Sequence, residues 1–537
     1  MRKDNFFQQY FVVITIVFCM VVLITGCTIL DEFSKEPEIK EMKEEKPIEI
    51  KPKKGGELKL AIRKPANLNP LLNDDAAIQP LFELLFDSLI MYDENHKPTA
   101  NLAKNWDFLQ EGQMIQLELR EDVTWHDGTP LTADDVVFTL DTIKKASTSP
   151  YKKYIENISN YRAVDEKTIK ITYIQPFSGA LYALNFPIIP AHYYKNQNVF
   201  NTEKNMNPIG TGPYIFVSLD SNKEIQLKAN DNYFKGSPYI PKAKAIFIPD
   251  DETSFYTFEQ GQINVLEMKR ADWQKYSTME NAKIYEYTIP YYDFIGFNFK
   301  NPKFQSIALR KAIAYSIDRK ALLDKYYLGH GVISDTPFLP NAWFLPEKSL
   351  IYSYSKEKGQ QLLENSDEKI QMKLLVSNEN PIRVNVAEEI KNMLAQVGIE
   401  VIVESVSIDT YIERLKKGDF EAFLGGWKLS PLIDFTFAFH STQIPEVFQD
   451  GKNYIRYQDS TLDQLLKECF TSVEENKIKQ SYQNFNQYFI ENLPYVSLYF
   501  QNSALIMNDI FYGPINPTMY SSFKNVNQWF IYSSEEE

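Results

Sequence analysis

The sequence predicts an α/β fold, and three observations carry that expectation. Strand-like alternation and helix-like spacing take turns from Gly55 onward, most clearly between Lys369 and Trp427. The chain has 537 residues, which at about 150 residues per domain suggests two to four domains. Its composition, 44% hydrophobic and 24% charged, suits a globular protein with a large core.

Arg2 and Lys3 precede a nearly unbroken apolar run from Tyr10 to Ile24. The run is shorter than the roughly 20 residues a spanning helix needs, and it ends in small residues, as secretion signals do. Ile24-Thr25-Gly26-Cys27 resembles the bacterial lipobox, where a peptidase cuts before a cysteine that carries a diacylglyceryl group. Residues 1–27 are therefore expected to be a lipoprotein signal peptide, with Cys27 the lipidation site. Residues 28–54 mix charges with three prolines and few large apolar groups. Such a stretch buries too little surface to offset ordering entropy and reads as a disordered tether.

Val123-Thr-Trp-His-Asp-Gly-Thr-Pro130 reads as a strand end and an Asp-Gly turn. Thr132-Ala-Asp-Asp135 has the spacing of a capping box, and Val136, Val137, Leu140 and Ile143 give the next helix an apolar face. Leu309, Ala312, Ile313 and Ile317 form a second helical stripe. Ile370 to Val376 alternates like a strand; Val386, Ile390, Met393, Leu394 and Val397 then recur at helical spacing up to a stop at Gly398. Ile399 to Val403 is a second strand, Tyr411, Ile412 and Leu415 mark a helix stopped at Gly418, and Phe420 to Leu424 is a third strand. This β-α-β-α-β run predicts a parallel sheet covered on both faces, with ligands beyond the carboxyl ends of its strands. Gly425-Gly426-Trp427-Lys428 and Ser377-Asn378-Glu379-Asn380 then fall at a candidate binding edge. Cys469 follows Leu462, Leu465 and Leu466 in a helical pattern and is expected to be a buried, inert thiol.

The sequence also excludes functions. Acidic residues outnumber basic ones 71 to 57, a net charge of −14, which argues against a nucleic-acid partner. Three cysteines rule out a disulfide scaffold or a Cys-rich zinc module, and a single apolar run rules out a polytopic membrane protein. The histidines at 96, 126, 192, 330 and 440 lack metal-ligand spacing. There is no nucleophile elbow, phosphate-cradling loop or dinucleotide fingerprint. His126-Asp127 reads as structural, and Asp134-Asp135 as a complement to a helix dipole. Neither an enzyme nor a cofactor or metal site is expected.

Four stretches carry a family likeness. They are Leu102-Ala-Lys-Asn-Trp106 with Trp125 to Phe138; Ile209-Gly-Thr-Gly-Pro-Tyr214 with Asn230 to Pro238; Ile295 to Phe299 with Leu309 to Arg319; and Gly426 to Pro431 with Asp434 and Phe439-His-Ser441. In this order, across nearly the whole body, they resemble the extracellular solute-binding proteins of family 5, the oligopeptide-binding group that serves ABC importers. The resemblance implies a two-lobed, periplasmic-binding-protein-like α/β clamp with mixed sheets, a hinge between the lobes and a small extra domain. Lobe I would comprise 55–90, 205–292 and 502–537, the extra domain II 91–204, and lobe II 294–501. It further implies a monomer, lipid-anchored on the outer face of a Gram-positive cell membrane. That monomer would capture oligopeptides and deliver them to ABC permease and ATPase subunits. A sensor for peptide signals, or a binder of a nickel complex or oligosaccharide, would use the same clamp.

Site residues follow from the same resemblance. Asp74-Asp75-Ala76 matches the first-lobe segment that pairs with ligand backbone, Glu267 falls near a ligand-contacting position, and Tyr499 matches a tyrosine close to the cleft. Trp427 matches a pocket-lining position, with Gly426 and Lys428 beside it. The sequence departs from the family just after this Trp, where relatives carry one or two aspartates for the peptide α-amino group. Leu432 and Ile433 interrupt that pattern, and only Asp434 survives. A buried ammonium without a partner is costly, so either Asp434 serves or the ligand is something else.

Overall fold

The computed structural model describes residues 51–268, 271–346, 350–364 and 369–532. The expected signal peptide, Cys27 and the expected tether as far as residue 50 lie outside them. An eleven-stranded mixed sheet forms the spine. Its order is Ile399–Val406, Ile370–Ser377, Ala422–Lys428, Ala282–Phe297, Tyr495–Asn508, Val265–Met268, Glu57–Ile62, Lys242–Phe247, Glu224–Ala229 and Tyr214–Asp220, with Gly331–Ile333 paired beside Tyr495–Asn508.

The β-α-β-α-β expectation holds. Ile370–Ser377 pairs in parallel with both Ile399–Val406 and Ala422–Lys428. Helix Pro381–Ala395 is capped by Asn380, whose side chain accepts the Arg383 N–H, and it buries Val386, Ile390 and Leu394 completely. Each such side chain contributes about 1.5–3 kcal/mol by leaving water. Helix Ile408–Lys417 stops at Gly418, whose φ of 74° is open to glycine at little cost.

One expectation fails. The third strand does not end at Leu424 but continues to Lys428, pairing Gly425 with Phe294 and Gly426 with Asp293. A Cβ at Gly426 would stand 2.4 Å from both the Asp293 carboxylate and the Arg383 guanidinium. These glycines permit close approach inside a sheet; they do not mark a turn.

Helix Ala133–Lys145 carries the expected capping box, in which Asp135 Oδ2 accepts the Thr132 N–H at 2.9 Å. The same carboxylate takes the Trp125 indole N–H at 3.2 Å and the Ala191 N–H at 2.8 Å, so the cap also ties three loops together. The stripe from Leu309 lies on helix Ile307–Ser316, one residue short of the buried Ile317.

Strands Ala103–Leu109, Met114–Leu119, Thr168–Tyr173 and Ile158–Ala163 form a separate antiparallel sheet in that order. Their buried residues Leu117 and Ile171 nevertheless share one hydrophobic cluster with Leu58, Leu505 and Trp529. A second large cluster runs from Tyr292 to Phe500. The long strands Ala282–Phe297 and Tyr495–Asn508 pass from one cluster to the other. Their pairing breaks between, with Thr288 opposite Asn502 and Tyr292 opposite Phe500. Ile289, Pro290 and Tyr291 thus face Gln501 alone, and Pro290 has no N–H for the ladder. The fold is a two-lobed α/β clamp, and this irregularity lies where the two long strands leave one cluster for the other.

Candidate functional site

A cleft of about 1080 Å³ opens at this irregularity, with walls from both sides of the long strands. Ile289, Pro290, Tyr291 and Gln501 reach it from the crossing strands. Asp74, Glu83, Asp87, Lys235 and Glu267 reach it from the first-lobe side, and Tyr327, Glu379, Asn380 and Lys428 from the second. Asn380 stands just past the carboxyl end of Ile370–Ser377, where a parallel sheet is expected to meet a ligand.

The sequence candidates scatter around this cleft. Asp74 and Ala76 are exposed and line it. The Asp75 carboxylate instead accepts the Ala77 N–H at 3.0 Å, ordering the turn before helix Gln79–Leu85, and lines a neighbouring hollow of about 420 Å³. Glu267 lines both spaces and accepts hydroxyl protons from Tyr287 at 2.7 Å and Ser522 at 3.2 Å. Lys428 lines the cleft, with its ammonium 5.9 Å from the Tyr291 ring.

Three others are held in packing. Gly426 makes room for the Asp293–Arg383 ion pair. Trp427 packs against Phe294 at 6.0 Å, Phe437 at 5.3 Å and Tyr454 at 6.1 Å. Tyr499 is 1% exposed, edge-on to Tyr327 at 5.2 Å, and burial drives its hydroxyl pKa well above the ordinary value. Asp434 lines a small adjoining cavity of about 30 Å³ with His96, Phe338 and Tyr520, and its carboxylate accepts the Thr436 N–H at 2.8 Å. The preceding Ile433 takes φ 49°, a left-handed backbone that strains a β-branched residue, and Tyr482 holds its carbonyl at 2.7 Å.

Other cleft groups have no local sequence signature. Glu83 lies on helix Gln79–Leu85, and its Oε2 accepts the Ser521 hydroxyl at 2.7 Å and the Phe523 N–H at 3.0 Å. Burial pushes its carboxyl up to about 7; the charge of Glu267 adds to the rise and these hydrogen bonds oppose it. Burial lowers the Lys235 pKa, against the pull of Asp87 3.9 Å away. Beside the break in the long strands, Asp293 meets Arg383 at 2.5 Å, Gln501 at 3.3 Å and Tyr327 at 3.4 Å.

His126 is structural, as its sequence context suggests. Its Nδ1 accepts the Gly210 N–H at 3.1 Å, its Nε2 lies 3.1 Å from the Gly212 carbonyl, and burial lowers its pKa to about 4. Cys469 is buried and unpaired, and burial raises its thiol to about 12. Among the described residues no group of three His, Cys, Asp or Glu side chains could hold a metal ion, and no helix is long and apolar enough to cross a membrane.

Two lobes joined by crossing strands, with a roomy cleft at the crossing, define a solute-binding clamp. Residues 97–443 match the bacterial extracellular solute-binding proteins, family 5, middle region, and the chain belongs to that family. It is thus a binding protein and not an enzyme. It is 27% identical over 514 residues, 90% of this chain and 92% of the relative, to oligopeptide-binding protein AppA of Bacillus subtilis (strain 168). The crystal structure of NikZ from Campylobacter jejuni in complex with Ni(L-His) matches with a TM-score of 0.63 and 26% identity, covering 88% of this chain and 99% of that one. The periplasmic murein tripeptide-binding protein MppA, in its unliganded open form, matches in fold with a TM-score of 0.79 at 18% identity, covering 91% and 99%.

Proposed function

We propose that this protein is the lipid-anchored, extracellular substrate-binding subunit of an ABC importer, capturing oligopeptides in the interlobe cleft and handing them to a permease. The observation that carries the reading is the cleft itself. About 1080 Å³ exceeds the roughly 300–1,000 Å³ of ordinary small-molecule pockets and suits an extended chain of several residues. Asp74, Glu267, Lys428 and backbone at the hinge supply polar contacts, and hinge closure supplies burial. The similarity to AppA, named as oligopeptide-binding, supports peptides as the solute class. Lobe boundaries at 55–90, 205–292 and 502–537 against 294–501, with an extra domain over 91–204, are supported by the separation of the hydrophobic clusters and by the second sheet.

Native mass spectrometry of the purified protein tests this reading. Co-purified peptides, or a rise in melting temperature with peptide mixtures, are expected; no response to peptides of any length overturns it. The anchor has its own test. Cys27→Ala should move the protein from the membrane fraction to the medium, and unchanged fractionation would refute lipidation there. A nickel complex is the second reading, favoured by the likeness to NikZ; stabilisation by nickel with histidine but not by peptides would establish it instead.

A further inference from the structure

Resting on the reading of the cleft as the solute site, we infer that its first-lobe wall holds a subsite for a positively charged nitrogen, an ammonium or guanidinium of the solute, received between Glu83 and Glu267. Both carboxylates line the cleft. Consecutive serines hold them, Ser521 on Glu83 and Ser522 on Glu267, at 2.7 and 3.2 Å. Each carboxylate spends one oxygen on these contacts: Glu83 Oε2 also takes the Phe523 N–H, and Glu267 Oε1 the Tyr287 hydroxyl. Among the described residues the remaining contacts of good geometry fall on these same oxygens, the Ser522 N–H also bears on the Glu83 carboxyl, and no lysine or arginine forms an ion pair with either.

A second observation is independent of the carboxylates. Asn101 is 5% exposed and lines the same cleft; its Nδ2 donates to the Ser88 carbonyl at 2.8 Å, while its Oδ1 has no partner. A buried, orphaned acceptor is costly until a donor arrives. The cleft therefore holds, on its 91–204 side, a buried acceptor that an N–H group of the solute would satisfy. Tyr151 and Tyr287 also line the cleft and can present ring faces to a cation.

The electrostatics agree. The Glu83 carboxyl is raised first by its burial and further by the nearby charge of Glu267. A cation between them offsets that charge and joins both carboxylates by charge-assisted hydrogen bonds. The wall also has a cation of its own, Lys235, but that lies against Asp87. The subsite would provide on the first lobe the acidic anchor that the segment after Trp427 lacks.

Titration calorimetry on the full-length protein tests this with three pentapeptides: penta-alanine with a free amino terminus, acetyl-Ala-Ala-Lys-Ala-Ala, and its neutral acetyl-norleucine counterpart. Free arginine and spermidine complete the panel. At least one cationic peptide should bind about tenfold more tightly than the neutral one, the factor a charge-assisted hydrogen bond supports. Which one does so tells whether the terminal amine or a side chain is received. The Glu83→Gln/Glu267→Gln double variant should lose that preference, read as the ratio of cationic to neutral affinities within the variant itself. Glu267→Gln alone, which leaves the Glu83 contacts intact, should weaken the preference and serves if the double variant misfolds. Equal binding of all three peptides, or a preference that survives both substitutions, overturns the subsite and leaves the peptide reading standing. Arginine or spermidine binding through these carboxylates, with no peptide bound, supports the subsite and overturns the peptide reading. No binding by any probe overturns both.

Discussion

Carboxylates on the two sides of the cleft are held in opposite ways. In the second lobe Asp335 and Asp293 are 3% and 1% exposed, and each meets an arginine, Arg319 at 2.7 Å and Arg383 at 2.5 Å. On the first lobe Glu83 and Glu267 meet hydroxyls and backbone amides, with no cation from the described residues. A charge neutralised from within is part of the scaffold. A charge left open toward a cleft waits for its counter-ion from outside. The same residue type thus plays two parts, and the partner decides which.

The sharpest way to break this contrast is to remove a carboxylate from the paired side. Asp335 accepts the Arg319 guanidinium and, through Oδ2, the Tyr352 N–H at 3.3 Å, while Arg319 is 4% exposed. Asp335→Ala would leave that guanidinium buried and uncompensated. The expected loss is about 3–5 kcal/mol, read as a large fall in melting temperature. A loss within the range of a surface substitution would show that the backbone carbonyls of Ser334 and Ser497 already satisfy the arginine.

A smaller effect is expected where the other pair is crowded instead of emptied. Gly426→Ala drives a Cβ to within 2.4 Å of both Asp293 and Arg383. Overpacking of this kind costs about 1–3 kcal/mol. Because the pair sits with Gln501 beside the break in the long strands, the variant should also alter the scattering change on adding peptide. A stable variant with an unaltered scattering change would remove the pair from any part in closure.

What the sequence made legible and what it hid divide along the same physical line. Periodic elements were readable: the parallel β-α-β-α-β unit and the Thr132–Asp135 cap rest on spacings of a few residues. Gly425-Gly426 was misread as lying past the strand end because the reason for Gly426, the Asp293–Arg383 pair, comes from residues 133 and 43 positions earlier. Trp427, matched to a pocket, turns onto Phe294 and Tyr454, a choice of face that its own strand pattern does not reveal. Glu83 is the plainest case. It looks like any acidic residue on a short helix, and its hydroxyl partner lies 438 residues away.

The smallest expected effect concerns that residue without any ligand. The Glu83 carboxyl is raised from 4.5 to about 7 in the folded protein, so the folded state holds the proton more tightly than the unfolded chain. Its contribution to stability is then fully present below about pH 4.5, declines as pH rises toward 7, and levels off above. Glutamine imitates the protonated acid, retaining an acceptor for Ser521 and Phe523. Glu83→Gln should therefore match the parent protein at pH 4.5 and exceed it increasingly up to pH 8, by about 1 kcal/mol once solvent in the cleft is allowed for. Melting curves of both proteins across that range decide it. Parallel pH profiles would mean that Glu83 titrates like an exposed acid and that water or an ion already serves the oxygen facing the cleft. A gap that opens with rising pH, and closes again when a cationic peptide is added to the parent, would mark an unpaired carboxylate whose missing partner is the solute.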